Sequence, residues 1–292
     1  MPMIRRAMRA SLLLSFAVIA ACAARPSDPD GDGAQLRGTI ASPVRADANR
    51  ARDGARHPYE TLRALGLRPG QTVIEIAPGG GWYTEIIAPY LRERGQYIAA
   101  LYVDEAATPA ETEAQFAKAR ERFDAKFTRL PDRYGRIVVG RLRTQGLADV
   151  GAPGSADTVL TFRNIHNWIA DGHFDDALRS FYAVLKPGGV LGVEEHRAAP
   201  GTSLERIIAS GYVPEAYVIE HARAAGFELA SLSEANANPR DTKDHANGVW
   251  SLPPTLRGGA TDRERFIAIG ESDRMTLTFV KPAVKPAVKP LR

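Results

Sequence analysis

The chain has 292 residues, of which 44% are hydrophobic and 25% are charged, a composition typical of a folded globular protein rather than a disordered one. The formal net charge is +4, but seven of the 38 basic residues lie in the first 21 and the last 12 residues, which contain no acid. The body of the chain therefore has 31 basic against 34 acidic residues, and this balance argues against nucleic acid as a partner.

The first 21 residues are typical of a bacterial export signal. Three arginines precede an apolar run over 12–21, which is too short to span a bilayer. The run ends in Ile19-Ala20-Ala21-Cys22, which resembles a lipoprotein signal whose cysteine becomes the lipidated first residue of the mature chain. We therefore predict a signal peptide at 1–21, a lipid anchor on Cys22 and a periplasm-facing location in the cell envelope. A chance cysteine in a discarded signal peptide is the alternative.

The segments flanking the main domain have compositions of their own. Residues 22–50 are rich in Ala, Pro, Asp and Gly and lack an apolar period, which predicts a flexible tether. Residues 282–292 continue a Lys-Pro-Ala-Val repeat, in which proline recurs too often for a helix. One domain is therefore expected at 51–281, with an insertion at 233–272 that forms a lid over the binding site.

Strand-like and helix-like stretches alternate within this domain. The candidate strands are 72–77, 97–103, 136–140, 157–162, 190–194, 227–231 and 275–280. A capping box with proline at the first helical position, Thr108-Pro109-Ala110-Glu111, predicts one helix start. Apolar residues at helical spacing predict another helix over 174–185. The alternation predicts an α/β fold with a Rossmann-like, doubly wound and mostly parallel sheet.

The first candidate strand runs directly into a glycine-rich turn, Pro78-Gly79-Gly80-Gly81, and then into an amphipathic helix. In a doubly wound sheet the ligand lies beyond the carboxyl ends of the strands, where the strand order reverses. Glycines in the turn after the first strand let the backbone approach that ligand closely. The context favours a nucleotide-type cofactor, although a glycine-rich turn alone could be only a tight connection.

Four motifs, in the expected order, resemble class I S-adenosylmethionine-dependent methyltransferases. The motifs are Glu75-Ile-Ala77-Pro-Gly79-Gly-Gly81, which is similar to the family's E/D-x-G-x-G-x-G signature, and the stretches 156–168, 185–197 and 225–232. The resemblance covers about residues 55–281. It implies a seven-stranded sheet whose last strand is antiparallel and is formed by residues 273–282.

The same resemblance implies S-adenosylmethionine as the cofactor and methyl transfer to an acceptor, which we expect to be a small molecule. It assigns cofactor contacts to Glu75, Ala77, Gly79, Gly80, Gly81, Tyr83 and Asp104. Two features depart from the family pattern. Ala77 replaces the first glycine, and Leu101 or Tyr102 stands where the family has the acid that binds the ribose hydroxyls. Either Asp104 supplies that acid, or the ribose is held differently, or the cofactor site has been lost.

Polar and aromatic residues follow the fourth and fifth candidate strands, where an acceptor would meet the methyl group. Catalytic roles are predicted for Arg163, Asn164 and His166, with His166 as the general base because a histidine pKa is about 6.5. The alternative is that His166 and Asn164 only hold the loop backbone. Acceptor contacts are predicted for Trp168, Glu194, Glu195 and His196. The spacing of these groups matches no standard ligand pattern, so no metal is expected.

Two other functions compete with methyl transfer. Tyr182 and Lys186 resemble the Tyr-x-x-x-Lys pair of short-chain dehydrogenases, but no serine occurs upstream over 165–172. The second competitor is an envelope-anchored binding protein that uses a methyltransferase scaffold without catalysis. It is favoured by the export signal, because the methyl donor is made in the cytoplasm, and by the missing ribose acid.

Overall fold

A central seven-stranded sheet organises the computed structural model, which describes residues 30–103, 108–143 and 150–283. The strands are β1 Thr72–Ile76, β2 Gln96–Tyr102, β3 Ile137–Leu142, β4 Ala156–Phe162, β5 Leu185–His196, β6 Glu228–Ser233 and β7 Arg274–Val280. Their order in the sheet is β3-β2-β1-β4-β5-β7-β6. β7 pairs antiparallel with β5 and β6, and the other neighbouring strands are parallel. The predicted fold class is confirmed, including the antiparallel last strand.

Helices cover both faces of the sheet. The α-helices are α1 Asp30–Ile40, α2 Asp47–Arg50, α3 Asp53–Arg56, α4 Pro58–Ala64, α5 Thr84–Leu91, α6 Ala110–Phe123, α7 Pro131–Tyr134, α8 Ile165–Ala170, α9 Phe174–Val184, α10 Leu204–Ser210, α11 Glu215–Ala224 and α12 Arg263–Ile269. A π-helical turn, Asp124–Thr128, continues α6, and a 3-10 turn occupies Gly248–Ser251. α6 has Pro109 at its N-cap position and begins one residue later than the capping box would place it. Among the described residues, no helix is long and apolar enough to cross a bilayer.

Two apolar layers hold the helices to the sheet, because successive side chains of a strand point to opposite faces. Ile74 and Ile76 of β1 pack with apolar side chains of α8, α9 and α11. Val73 of the same strand packs with α1, α4 and α5 on the opposite face. Both layers extend across β4, so the carboxyl ends of β1 and β4 lie side by side over a rigid support.

Residues 30–50 belong to the folded unit, and the prediction of a flexible tether is wrong for this stretch. Leu36 of α1 is fully buried against α5, and Gln35 Nε2 donates to the carbonyl oxygen of Tyr90 at 3.1 Å. The buried guanidinium of Arg45 binds both oxygens of Asp53 at 2.6 and 2.7 Å. One buried leucine and one buried ion pair thus order a segment whose composition is otherwise polar. Cys22, the signal peptide and residues 284–292 lie outside the described residues.

The segment between β6 and β7 packs against the carboxyl end of β5. Val249 and Trp250 of its 3-10 turn form a small apolar cluster with Ala198 and Tyr212. The hydroxyl of Tyr212 donates to both oxygens of Asp241, at 2.9 and 3.0 Å, and so ties the segment to the residues after α10. This part of the predicted lid therefore lies beside the end of the sheet where the strand order reverses.

Candidate functional site

Two neighbouring cavities open at the carboxyl ends of the parallel strands, where the strand order reverses between β1 and β4. The larger, of about 370 Å³, is lined by the turn after β1, with Ala77 and Gly79, and by side chains of α6. The smaller, of about 250 Å³, is lined by the end of β3 and by residues of α8 and the turn after it. Tyr102, Phe116 and Asn164 line both cavities, so the two share a wall.

The turn after β1 has a left-handed backbone at three positions, with φ of 46° at Ala77, 58° at Gly79 and 74° at Gly81. A Cβ atom on Gly81 would lie 2.2 Å from the Phe127 ring, so this glycine is required by packing. A Cβ on Gly79 would meet no atom within 4 Å, and Gly79 also lines the larger cavity. Gly80 has the same open space but does not line the cavity, and its carbonyl oxygen accepts a hydrogen bond from Lys126 Nζ at 3.0 Å. Gly79 is thus the glycine of this turn that a ligand in the cavity can approach.

Backbone strain is present on both sides of the reversal point. Ala77 follows β1 and Arg163 follows β4, and both adopt positive φ, 46° and 60°, which costs an L-residue about 1–2 kcal/mol. The amide of Arg163 donates to the carbonyl oxygen of Glu194 at 2.7 Å, and this hydrogen bond helps to hold the conformation. Such strain concentrates at functional sites, where the surrounding structure maintains it.

Tyr102 occupies the end of β2, where the resemblance leads one to expect a ribose-binding acid. Its hydroxyl accepts a hydrogen bond from Trp168 Nε1 at 3.0 Å, and its ring stacks on Phe116 with centroids 4.8 Å apart. Burial raises the pKa of Tyr102, so the phenol stays neutral. The side chain therefore links the β2 and β4 sides of the crevice as an aromatic wall. Asp104 lies outside the described residues.

Two of the predicted cofactor contacts lie in the packed layer between the sheet and α5, and neither belongs to the cavity walls. Glu75 is 2% exposed, and its Oε2 accepts hydrogen bonds from Tyr97 at 2.5 Å and Thr84 at 3.1 Å. Burial raises the pKa of Glu75 to about 7. Tyr83 stacks on Phe162 with centroids 3.7 Å apart and donates to Glu194 Oε2 at 2.9 Å. Both positions therefore support the strand and helix that shape the crevice.

Glu194, predicted to contact the acceptor, lies at the centre of a buried ionic cluster. Its carboxylate accepts hydrogen bonds from Arg163 Nη1 at 2.9 and 3.0 Å and from Arg274 Nη1 at 2.7 Å. Burial alone would raise the pKa of Glu194, but the guanidiniums of Arg163, Arg274 and Arg56 outweigh it and lower the pKa to about 2. Both carboxylate oxygens are engaged by protein donors, so the role of Glu194 is to fix the guanidiniums around it.

His166 and Glu195 form a hydrogen-bonded pair beside this cluster. Glu195 is fully buried, and its Oε1 lies 3.0 Å from His166 Nδ1. The remaining donors to the Glu195 carboxylate are the amides of Ile165, His166 and His196, at 2.7, 3.3 and 2.8 Å. A carboxylate on Nδ1 fixes the ring orientation and leaves Nε2 as the nitrogen able to take a proton. The geometry therefore supports a role for His166 as a general base. The ring centroids of His166 and Trp250 lie 6.0 Å apart.

His166, Glu195 and His196 also place one possible metal-ligand atom each within 4.8 Å of one another, a grouping that the sequence spacing did not indicate. The four donors on Glu195 already use its lone pairs, and Ser272 Oγ lies 2.6 Å from His196 Nδ1. Burial, His166 and the nearby arginines lower the pKa of His196 well below its usual value. The positive charge of the nearby arginines opposes the binding of a cation. The cluster is therefore better suited to orient the His166 imidazole than to hold a metal ion.

The structure thus divides the predicted site in two. Ala77, Gly79, Asn164 and Trp168 line the cavities. The other predicted residues that the structure describes do not line them: Gly80 and Gly81 belong to the turn after β1, and the remaining ones are the buried or partly buried polar residues Glu75, Tyr83, Arg163, His166, Glu194, Glu195 and His196. Phe116, Arg120 and Asp171 also line the cavities, and the sequence patterns do not predict them as site residues. Phe116, Ala119 and Phe123 recur at helical spacing, a pattern that indicates a helix face against the sheet but not a cavity wall. The position of Asp171 depends on the turn after α8, which no sequence pattern specifies.

Comparisons with known proteins support the fold. No protein-family model matches the chain, and no curated protein matches it. Among solved structures, it is similar to an arsenic(III) S-adenosylmethionine methyltransferase from Chlamydomonas reinhardtii, with a TM-score of 0.51, 16% identity, and coverage of 88% of this chain and 76% of that chain. The cyclase SpnF gives a TM-score of 0.50 and 20% identity, over 87% of this chain and 94% of SpnF.

A candidate sarcosine dimethylglycine methyltransferase from Galdieria sulphuraria also matches, with a TM-score of 0.50 and 14% identity. The alignment covers 80% of this chain and 85% of that chain. At such low identity these likenesses show a shared architecture. The chain has the Rossmann-like fold of class I methyltransferases, on which at least one cyclase is also built.

Proposed function

We propose that the protein binds S-adenosylmethionine across the two neighbouring cavities and transfers its methyl group to a small-molecule acceptor. The observation that carries the proposal is the bare left-handed backbone at Gly79, which faces open space at the reversal point of a methyltransferase-like sheet. A ligand can approach that backbone without meeting a side chain. The fold and the order of the sequence motifs support the same conclusion.

The cavity walls fit the groups of this cofactor. At about 370 and 250 Å³, the cavities together lie within the usual range for small-molecule sites. The rings of Tyr102, Phe116 and Trp168 offer stacking surfaces for the adenine. Asp171 is the one acid among the described residues that line either cavity, and we assign to it the contact with a ribose hydroxyl. The ribose would then be held differently from the family pattern, the second of the three possibilities left open by the sequence.

Bound S-adenosylmethionine supplies an electrophilic methyl group on its sulfonium. The protein's task is to hold the acceptor in line with that methyl group and to remove a proton where the acceptor carries one. Asn164 Nδ2 donates to the carbonyl oxygen of Ile76 at 3.0 Å and joins the ends of β4 and β1. His166, oriented by Glu195, takes the acceptor proton on Nε2. The insertion that carries Trp250 acts as a lid over this side.

Calorimetric titration of the purified protein with S-adenosylmethionine and S-adenosylhomocysteine tests the proposal. The variant Gly79→Leu should lose binding by at least about tenfold, because its side chain fills the space beside the turn. Gly154→Leu is the matched control, since Gly154 has a similar φ of 67° and open space but does not line the cavities. Absence of binding to the native protein at millimolar ligand would rule out the enzyme and leave the non-catalytic binding protein.

Turnover tests the role of His166. With a small-molecule extract as the acceptor pool, formation of S-adenosylhomocysteine should fall about 10²–10⁴-fold in His166→Ala, the usual contribution of a general base. His221→Ala is the control, because His221 pairs with Asp175 on another part of the surface. Near-normal turnover in His166→Ala would show that His166 only holds the loop backbone and is not the general base.

An envelope location is part of the proposal and is supported by the sequence of residues 1–22 alone. Lipidation of Cys22 would place the enzyme at the membrane surface, where its acceptor would be an envelope metabolite. Labelling of cells with an alkyne fatty acid should mark the native chain and spare Cys22→Ala. Equal labelling of the two chains, or none of either, would contradict the anchor.

A further inference from the structure

Arg163 is the first residue after β4, and one edge of its guanidinium is unused. Its Nη1 donates to both oxygens of Glu194, at 2.9 and 3.0 Å. The other edge carries the N–H groups of Nε and Nη2, which are parallel in the planar guanidinium. Neither of these two atoms has a hydrogen-bond partner in the described part of the chain. A fork of two N–H groups is therefore left at the carboxyl end of the sheet.

Solvent reaches this edge of Arg163. The side chain is 19% exposed, and neither Nε nor Nη2 is among the enclosed side-chain atoms that lack a partner. Arg274, the other guanidinium on Glu194, differs, because its side chain is 2% exposed and its Nε is enclosed. Arg163 is therefore the member of this pair that a ligand can contact.

The accessible edge lies near the proposed base. Arg163 precedes by three residues His166, which lies in the first turn of α8. After burial and His166, the charge of Arg163 is a further cause that lowers the pKa of His196, whose ring centroid is 5.3 Å from that of His166. The Nε2 atom of His166 has no partner among the described residues and is not enclosed either. A cationic fork and a basic nitrogen thus flank one region of the site.

The charges around Arg163 favour an anion. Four guanidiniums share two carboxylates in this cluster, which consists of Arg52, Arg56, Arg163, Arg274, Glu194 and Glu271. Burial and the neighbouring Arg163 lower the pKa of Arg56 to about 10, although the two carboxylates oppose this shift. The cluster therefore holds more positive than negative charge.

The acids that neighbour these residues in the chain have partners of their own. Glu195 accepts hydrogen bonds from three backbone amides and is paired with His166. Asp53 is held by Arg45, and Asp273 is held by other basic side chains. The positive charge beside the free edge of Arg163 is therefore left for a ligand.

We propose that the acceptor is a small acid whose carboxylate or phosphate group binds the free edge of Arg163. Two oxygens of either group match Nε and Nη2 as a bidentate pair. The acceptor atom that receives the methyl group lies on the side of His166 Nε2, which takes its proton. This inference rests on the proposed methyl transfer, but binding of the anion itself requires neither cofactor nor turnover.

Nitrogen NMR of the arginine side chains in the purified protein tests the anion site without cofactor. Acetate and inorganic phosphate are the probes at constant ionic strength, and acetamide is the uncharged counterpart of acetate. At least one anion should shift the Nε–H signal of Arg163 with a midpoint at or below about 10 mM, and acetamide should bind at least about tenfold more weakly. Arg163→Lys removes this signal and so assigns it. A signal that neither anion shifts, or that acetamide shifts equally, would overturn the proposal.

Turnover tests the same contact with the acceptor pool. When the small-molecule extract is separated on an anion exchanger, formation of S-adenosylhomocysteine should require the retained fraction. Esterification of that fraction should abolish turnover if the group is a carboxylate, and phosphatase treatment should abolish it if the group is a phosphate. Turnover confined to the unretained fraction would contradict the proposal. Absence of turnover with the whole extract would count against methyl transfer alone, and the NMR titration would still decide the anion site.

A variant separates contact with the acceptor from support of Glu194. Arg163→Lys keeps a positive charge beside Glu194 but loses the second N–H edge, so the KM for the acceptor should rise at least about tenfold with a smaller change in kcat. Arg274→Lys is the matched control, because it changes the other cation on Glu194, and the KM should stay within about threefold. An unchanged KM in Arg163→Lys, or an equal rise in both variants, would show that Arg163 only holds Glu194.

Discussion

At the scale of single residues, the residues of the motif at 75–81 have different structural roles. Gly79 lines the cavity, Gly81 is dictated by the Phe127 ring, and Ala77 holds a left-handed conformation in which glycine is preferred. Glu75, two residues before Ala77, is buried beneath α5 with Tyr97 and Thr84. A motif that resembles a known signature therefore does not show that each of its residues contacts the ligand.

Glu75→Gln should remove a pH-dependent loss of stability. The pKa of Glu75 rises from 4.5 to about 7 on folding, so between these values the folded state keeps a proton that the unfolded state releases. This destabilises the native protein as pH rises through that interval, by about 3 kcal/mol in total. Urea unfolding at pH values below and above the interval should show that the free energy of unfolding of the variant, relative to that of the native protein, is higher at the higher pH.

The exposed Glu93 provides the matched control for this measurement. Glu93→Gln removes a carboxylate that pairs with Arg92 at the surface, and its stability relative to the native protein should hardly change with pH. If Glu75→Gln behaved in the same way, Glu75 would be ionised in the folded protein and would hold its charge by interactions with donors around it.

At the scale of elements, α1 shows how little apolar surface is needed to order a polar segment. Its sequence has no strong apolar face, yet Leu36 fills a place in the layer between α4 and α5. The ion pair of Arg45 and Asp53 then fixes the chain that follows. The N-terminal segment from residue 30 onward is thereby part of the folded domain instead of a spacer.

Leu36→Ala measures the contribution of α1. The change should lower the free energy of unfolding by about 2–4 kcal/mol, because a fully buried leucine leaves a cavity when it is shortened. Leu204→Ala, at a leucine that is 52% exposed, should cost less than about 1 kcal/mol. Equal effects in urea unfolding would mean that residues 30–40 do not contribute to the stability of the domain.

At the scale of the whole molecule, one ionic cluster joins parts that are far apart in sequence. Arg52 and Arg56 come from the N-terminal helices, Arg163 from the turn after β4, Glu194 from β5, and Glu271 and Arg274 from the chain around the start of β7. The cluster therefore fixes the turn after β4 and the start of β7 relative to the N-terminal helices.

Glu194→Gln should lower the free energy of unfolding by about 3–5 kcal/mol near neutral pH, because the guanidiniums of Arg163 and Arg274 lose their buried counter-charge. The pKa of Glu194 falls from 4.5 to about 2 on folding. Its stabilisation is therefore present above pH 4.5 and is lost as pH falls toward 2, so the native protein and the variant should converge in acid.

Urea unfolding at neutral and acidic pH checks this expectation, with Glu205→Gln as the control at an exposed glutamate of α10. Glu205→Gln should change the free energy of unfolding by less than about 0.5 kcal/mol at either pH. A gap between the native protein and Glu194→Gln that stayed constant with pH would show that folding does not lower the pKa of Glu194.

The sequence by itself determined the sheet and the place of the crevice at the carboxyl ends of β1 and β4. Alternating strands and helices and the glycine-rich turn after β1 are local patterns, so a linear reading captures them. The sequence also indicates Asn164 and Trp168 as residues of the site, because both lie in the segment after β4 and the carboxyl ends of parallel strands meet at one end of the sheet. Apolar periodicity and turn residues depend on positions that are close together in the chain, so the sequence shows them directly.

Only the tertiary structure decided which side chains meet. The burial of Glu75, the aromatic wall of Tyr102 and the pairing of His166 with Glu195 all join residues from different elements. The order of α1 likewise depends on a space between two later helices. Burial and charge pairing depend on distances across the fold, and the sequence does not contain those distances until the chain has packed.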